Sequence, residues 1–165
     1  MKLFILRHGA TATADADELR ELSAQGVKEV EDVVHLRQDD LQGVTQIYSS
    51  PMIRVKQTLE IAARILSLQD SIVESQYLTT GSRLNEIVSF VGELDFDGGD
   101  ILVSSHQSCT SILVLWLTGE DILISNGSLL AIDVAVAAQG GGTILWQESH
   151  NSSEVKRTTS FVDQF

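Results

Sequence analysis

The apolar run Leu3-Phe4-Ile5-Leu6 stops at Arg7-His8-Gly9, only a few residues into the chain. A run this short, bounded by a glycine, reads as a buried strand. It would deliver a guanidinium and an imidazole to the carboxyl end of a sheet, where open α/β folds place their ligands. An imidazole can attack phosphorus while a fixed guanidinium neutralises the phosphoryl oxygens. The tripeptide therefore points both to a fold class and to a chemistry. Taken alone it is also compatible with a structural histidine after a core strand.

Two later segments repeat the arrangement. In Tyr48-Ser49-Ser50-Pro51-Met52-Ile53-Arg54, followed by Val55-Lys56-Gln57-Thr58, a strand end leads into a helix. Ser50 is expected as the N-cap and Pro51 as the first helical residue, where its fixed φ suits the helix. Arg54 would then lie in the first turn, near unpaired backbone N–H groups that favour an anion. Further on, Ile101-Leu102-Val103 ends at Ser104-Ser105-His106 and leads into an apolar helix from about Gln107. A second imidazole is thus placed at a strand end. Individually, Arg54 could be a solvated helix-start residue and His106 a hydrogen-bonded core histidine. Three matching strand-to-helix junctions in one chain argue for a shared site.

The set resembles the histidine phosphatase superfamily, the phosphoglycerate-mutase-like fold, over nearly the whole chain. The matching motifs are Arg7-His8-Gly9, then Ser49-Ser50-Pro51 with Arg54 and Gln57-Thr58, then Ser105-His106. The short length resembles the SixA-type phosphohistidine phosphatases. Arg20-Glu21-Leu22-Ser23-Ala24-Gln25-Gly26 is similar to a further stretch of those proteins, except that Glu21 stands where proline is common. The resemblance implies a single-domain three-layer α/β sandwich with a central, mostly parallel sheet. It also implies a phosphate site made by Arg7, Arg20, Arg54 and His106 around a nucleophilic His8. Arg20 also reads as a surface charge in an acidic loop. No cofactor or metal is implied.

Composition fits that expectation. At 165 residues, one core suffices without staples. Residues 1–148 are expected as the domain and 149–165 as a polar tail open to disorder. The single cysteine excludes an internal disulfide and suits a reducing compartment. The opening segment is too short for a signal-peptide core, and no stretch reaches membrane-span length, so a cytoplasmic location is expected. A net charge of −12 argues against nucleic acid. It does not exclude a phosphate site, because salt screens diffuse surface charge beyond about 8 Å. The expected partner is a phosphorylated histidine-containing phosphotransfer protein or a similar phosphoprotein, and the expected state a monomer.

Periodicity gives alternating elements. Strands are expected at 2–7, 44–49, 72–73, 101–104, 128–137 and 143–147. The last two are joined through Gln139-Gly140-Gly141-Gly142 as a hairpin. Val27, Val30 and Val34 mark a first helix capped by Ser23, with Glu29, Glu31 and Asp32 on its other faces. A second helix spans Pro51 to about Leu66, and Leu84, Ile87, Val88 and Val91 form the apolar face of a third. His35 reads as a surface residue, and His150 lies in the polar tail with nothing nearby to make it a ligand. Cys109 reads as a buried, inert thiol.

By the resemblance, His8 attacks phosphorus, the arginines hold the equatorial oxygens, His106 donates a further hydrogen bond, and water then hydrolyses the phosphohistidine enzyme. Thr80 of Tyr77-Leu78-Thr79-Thr80-Gly81 stands where many relatives carry an acidic proton donor. Arg83-Leu84-Asn85-Glu86 copies the letters of that acid's motif, but its spacing continues as a helix, and Glu86 is expected on the helix face. A site lacking a strong acid suits phosphohistidine, whose imidazole leaves readily. A phosphatase of small phosphoesters and a non-catalytic phosphoprotein binder remain the alternatives.

Overall fold

The computed structural model describes residues 1–69 and 72–150. Six strands form one sheet: β1 (Lys2–Arg7), β2 (Val44–Ser49), β3 (Ile72–Glu74), β4 (Asp100–Ser105), β5 (Leu129–Val134) and β6 (Gly142–Glu148). Their spatial order is β3-β2-β4-β1-β5-β6. The pairs β2–β3, β2–β4 and β1–β4 are parallel, while β5 runs antiparallel to both β1 and β6. The sheet is therefore mostly parallel, and the hairpin β5–β6 extends it on the β1 side.

Each central strand is buried on both faces, and its side chains alternate between two cores. Leu3, Ile5, Ile101, Val103, Leu130 and Ile132 pack on one side. Phe4, Leu6, Leu102, Leu129 and Ala131 pack on the other. Helices α3 (Leu84–Glu93) and α4 (Gln107–Thr118) cover the first face through Ile87, Phe90, Val91, Leu113 and Leu117. Helices α1 (Ala24–Leu36) and α2 (Ile53–Leu66) cover the second through Val30, Val33, Val34, Leu59 and Ala62. Two-sided burial explains why these strands read as continuous apolar runs rather than as alternating patterns. The result is the expected three-layer α/β sandwich.

Several local expectations need correction. Helix α2 starts at Ile53 with Met52 as its N-cap, so Ser50 and Pro51 lie outside it. On α3 the buried residues are Ile87, Phe90 and Val91, whereas Leu84 and Val88 are exposed. Strand β5 is shorter than expected, Leu129–Val134, and β3 runs one residue longer, to Glu74. Ser23 does cap α1, its Oγ accepting from Gly26 N at 3.0 Å. Glu29 is buried rather than on an outer face. Its carboxylate accepts from Ala10 N at 3.0 Å and from Gln25 Nε2 at 2.8 Å. His150 also packs there, with Nε2 3.7 Å from Glu29 Oε1. The remainder of the expected tail, residues 151–165, lies outside the described residues.

Two glycines fix how closely α1 approaches the exit of β1. A Cβ on Gly9 would lie 2.4 Å from Gly26 O, and one on Gly26 would lie 1.9 Å from Ala10 O. Backbone meets backbone here, so neither position has room for a side chain. This contact explains Gly9 and Gly26 physically.

Candidate active site

Three parallel strands that are neighbours in the sheet, β2, β4 and β1, end on the same edge. Arg7 pairs in register with Ser105, and Ser49 with Ser104. The residues following each strand, His8, Ser50 and His106, therefore converge although they are far apart in sequence. Strand direction alone places the site at the carboxyl edge, between β1 and β2.

His8 leaves β1 on a fixed backbone. Gly127 N donates to both Arg7 O and His8 O, at 3.2 and 3.0 Å. Gly9 N donates to Thr58 Oγ1 at 3.4 Å, and that hydroxyl donates to Arg54 O at 2.8 Å. The ring is buried, and its Nδ1 lies 2.9 Å from Gly9 O. A carbonyl oxygen only accepts, so Nδ1 carries the proton and Nε2 of the neutral ring keeps its lone pair. Burial above all pushes the His8 pKa down to about 4; the Gly9 hydrogen bond opposes it, and the guanidiniums of Arg54, Arg7 and Arg20 each add a smaller push downward.

His106 caps the start of α4, 5.7 Å from His8 between ring centroids. Its Nε2 is 2.9 Å from Ser50 Oγ, and its Nδ1 is 3.4 Å from Arg54 Nη2. A guanidinium only donates, so here Nδ1 accepts and the neutral ring gives its Nε2 proton to Ser50. Burial and the Arg54 charge bring the His106 pKa down to about 4 as well.

The three arginines differ in their settings. Arg7 Nη1 donates to Ile124 O at 2.6 Å, while its Nε is buried without a partner among the described residues. Arg54 is buried in the first turn of α2 and donates through Nη1 to Asp17 O at 2.9 Å and through Nη2 to Asp17 Oδ2 at 3.0 Å. Arg20 is half-exposed, pairs with Asp17 Oδ1 at 3.3 Å and donates to Thr11 Oγ1. The structure thus brings His8, Arg7, Arg54 and His106 together, with Arg20 at the periphery.

Sequence reasoning missed two polar residues of this cluster, Ser50 and Asp17. Ser50 was read as a helix cap, yet its hydroxyl faces His106, and the helix begins three residues later. Asp17 sits in a single 3-10 turn, Asp17–Leu19, within a loop read as irregular. Gln57 and Thr58 have roles that their motif signalled without explaining: Gln57 Oε1 holds Leu22 N at 2.8 Å. Cys109 is buried as expected, with Sγ donating to Thr79 O. His35 is exposed on α1, as expected.

The model of the histidine phosphatase superfamily (branch 1) matches residues 3–87 of the 165. The chain belongs to the histidine phosphatase superfamily. Among solved structures, it is similar to the protein histidine phosphatase SixA complexed with tungstate. That likeness has 27% identity and a TM-score of 0.82, over 92% of this chain and 98% of the other. A putative phosphohistidine phosphatase SixA from Nakamurella multipartitia shares the fold at 19% identity and TM-score 0.76, over 89% and 94% of the two chains. A putative alpha-ribazole-5'-P phosphatase from Escherichia coli does so at 20% identity and TM-score 0.69, over 94% and 100%. No curated protein matches the chain. Among the described residues, no helix is long and apolar enough to cross a membrane.

The two depressed histidines make stability depend on pH. In the unfolded chain each imidazole titrates near 6.5, and in the fold near 4. Between those values the unfolded chain binds more protons, so stability rises with pH. It is complete above about 6.5 and is lost progressively as pH falls toward about 4. Urea midpoints measured across this window in phosphate-free buffer should fall on acidification. His106→Asn should flatten part of that slope, and an unchanged slope in that variant would contradict burial of a neutral His106.

Proposed function

We propose that this protein is a phosphohistidine phosphatase that works through a phosphohistidine intermediate on His8. The observation that carries the chemistry is the fixed tautomer of a neutral, buried His8, whose free Nε2 lone pair stands within a cluster of arginines. Nε2 attacks phosphorus, and the P–N bond of the substrate, protonated on its other ring nitrogen, breaks with its electron pair going to the departing neutral imidazole. Water then attacks the phosphorus, the bond to His8 breaks, and Nε2 regains its lone pair. Arg7 and Arg54 hold the equatorial oxygens. Arg7 Nε, buried without an acceptor among the described residues, is a donor left over for one of them. Arg20 assists from the loop. Phosphoryl transition states are loose and highly charged, so positioned guanidiniums supply the stabilisation without a metal.

His106 completes the oxyanion contacts once its proton sits on Nδ1. Ser50 permits the exchange, because a hydroxyl can accept from Nε2–H or donate to Nε2 equally well. The hydrogen bond between the two side chains makes Ser50 a positioning residue for that ring.

The substrate assignment rests on the leaving group. Thr80 is exposed in the segment after β3. Glu86 is the third residue of α3, and its Oε2 accepts from Arg83 N at 2.7 Å. That contact supports the helix-end role rather than a proton donor at His8. An imidazole leaves without a strong acid, whereas an alkoxide gains about 10²–10⁴-fold from one. The likeness to a protein histidine phosphatase favours the same substrate class, a phosphohistidine borne by a protein.

Turnover on a phosphohistidine-bearing phosphotransfer domain, aryl phosphates of graded phenol acidity and alkyl phosphates tests this. The expected order is phosphohistidine first and alkyl esters last, with a steep leaving-group dependence in single-turnover phosphorylation. A flat dependence with good alkyl-ester turnover would contradict it. A selective loss on poor leaving groups in Glu86→Gln would then identify the missing acid.

A further inference from the structure

The phosphate cradle already holds a carboxylate of its own. Asp17 binds Arg54 through its peptide oxygen at 2.9 Å and through Oδ2 at 3.0 Å. Its other carboxylate oxygen, Oδ1, lies 3.3 Å from Arg20 Nη1. One carboxylate thus spans two of the three guanidiniums, as two oxygens of a phosphoryl group would. The partners differ in burial: the Arg54 side chain is 5% exposed and that of Asp17 is 52% exposed. The cation is fixed in the site, while the anion reaches in from a surface turn three residues long. These hydrogen bonds also hold the Asp17 carboxyl below its ordinary pKa, so it is charged at neutral pH.

We propose that Asp17 is a specificity-determining residue, competing with phosphoryl oxygens for Arg54 and Arg20 and so selecting a protein-borne phosphohistidine over small phosphate anions. The inference rests on the phosphohistidine reading above. An entering dianion must displace the carboxylate from the arginines or lie beside it, and either costs free energy. A small ester or inorganic phosphate has few other contacts to offset that cost. A phosphorylated imidazole has a second ring nitrogen, which can carry a proton and a positive charge. A half-exposed carboxylate beside the cradle attracts that N–H cation while repelling an ester dianion. Discrimination by repulsion of the wrong ligand is a general route to specificity. It also limits inhibition by the product, inorganic phosphate.

Asp17→Asn is the direct test, because the amide oxygen still accepts from Arg54 while the charge is gone. Binding of inorganic phosphate is measured by calorimetry. kcat/KM is measured for 4-nitrophenyl phosphate and for a phosphohistidine-bearing phosphotransfer domain. Phosphate should bind about two- to fivefold more tightly, the range that a half-exposed ion pair commands. The ester's kcat/KM should rise by a similar factor, and that of the phosphoprotein should stay level or fall. Asp17→Ala, which also removes the side-chain acceptor, should show the same direction for phosphate. Unchanged or weaker phosphate binding in both variants overturns the proposal and makes Asp17 a positioning residue for Arg54. Tighter phosphate binding with an equal gain on both substrates overturns the discrimination. Wild-type protein inactive on phosphohistidine overturns the substrate reading instead, which the phosphate-binding arm does not touch.

Discussion

His8→Ala is expected to lower turnover by more than about 10³-fold while leaving the fold and phosphate binding largely intact. Among the described residues the ring's hydrogen bond is to the adjacent Gly9 O, so its loss removes no strut between elements. The arginines proposed to bind phosphate keep their own partners on Ile124, Asp17 and Thr11. Losing a nucleophile differs from losing a ligand: the former abolishes the covalent route, and the latter weakens the transition state by a few kilocalories. A rate within about tenfold of wild type, or about 1.4 kcal/mol in barrier, would show that His8 is not the attacking group. Circular dichroism and calorimetric phosphate titration on the same variant separate that result from misfolding.

Arg54→Lys is expected to cost about 10²-fold or more in kcat/KM although the charge is retained. Arg54 donates from two nitrogens, Nη1 to Asp17 O and Nη2 to both Asp17 Oδ2 and His106 Nδ1, a spread that one ammonium cannot reproduce. Its burial also fixes the planar fork, and lysine would bring a strongly hydrated point charge into the same space. Arg20→Ala should cost less, since Arg20 is half-exposed and, among the described residues, bonds within its own loop. Steady-state kinetics on the three proteins would rank them. Equal losses for Arg20→Ala and Arg54→Ala would contradict the peripheral place given to Arg20, and a harmless Arg54→Ala would contradict the site itself.

The parts of this site legible in the sequence are those set by strand direction and local motif. Arg7 ends a buried strand, His8 and His106 each follow one, and a parallel sheet brings such ends to one edge whatever lies between them. Arg54 was legible because the strand-to-helix turn before it is short. What the sequence concealed depends on contacts between distant segments. Ser50 was misread because a serine before proline is a good cap, whereas here its hydroxyl meets an imidazole 56 residues away. The helix starts late, at Ile53, for the same reason: Ser50 still belongs to the strand exit, with its N–H bonded to Ser104 O. Asp17 lies in an acidic stretch without periodicity, and only the folded loop shows that its carboxylate meets Arg54, 37 residues on. Glu29 followed the polar side of a helical pattern, yet its carboxylate replaces water as the acceptor for Ala10 N. A buried carboxylate satisfied by a distant backbone amide leaves no mark on hydrophobic periodicity. Leu84 and Val88 show the converse, apolar residues at helical spacing that stay in solvent while Phe90 fills the core.

The proposed chemistry puts the phosphoryl group on His8. Wild-type protein mixed with a phosphohistidine-bearing phosphotransfer domain, quenched in alkali within the first turnover and mapped by mass spectrometry, tests it most directly. An acid-labile phosphate is expected on His8, at the ring nitrogen not bonded to Gly9, and none in His8→Ala. Rapid hydrolysis of the substrate with no label on His8, or with the label on another residue, would contradict it.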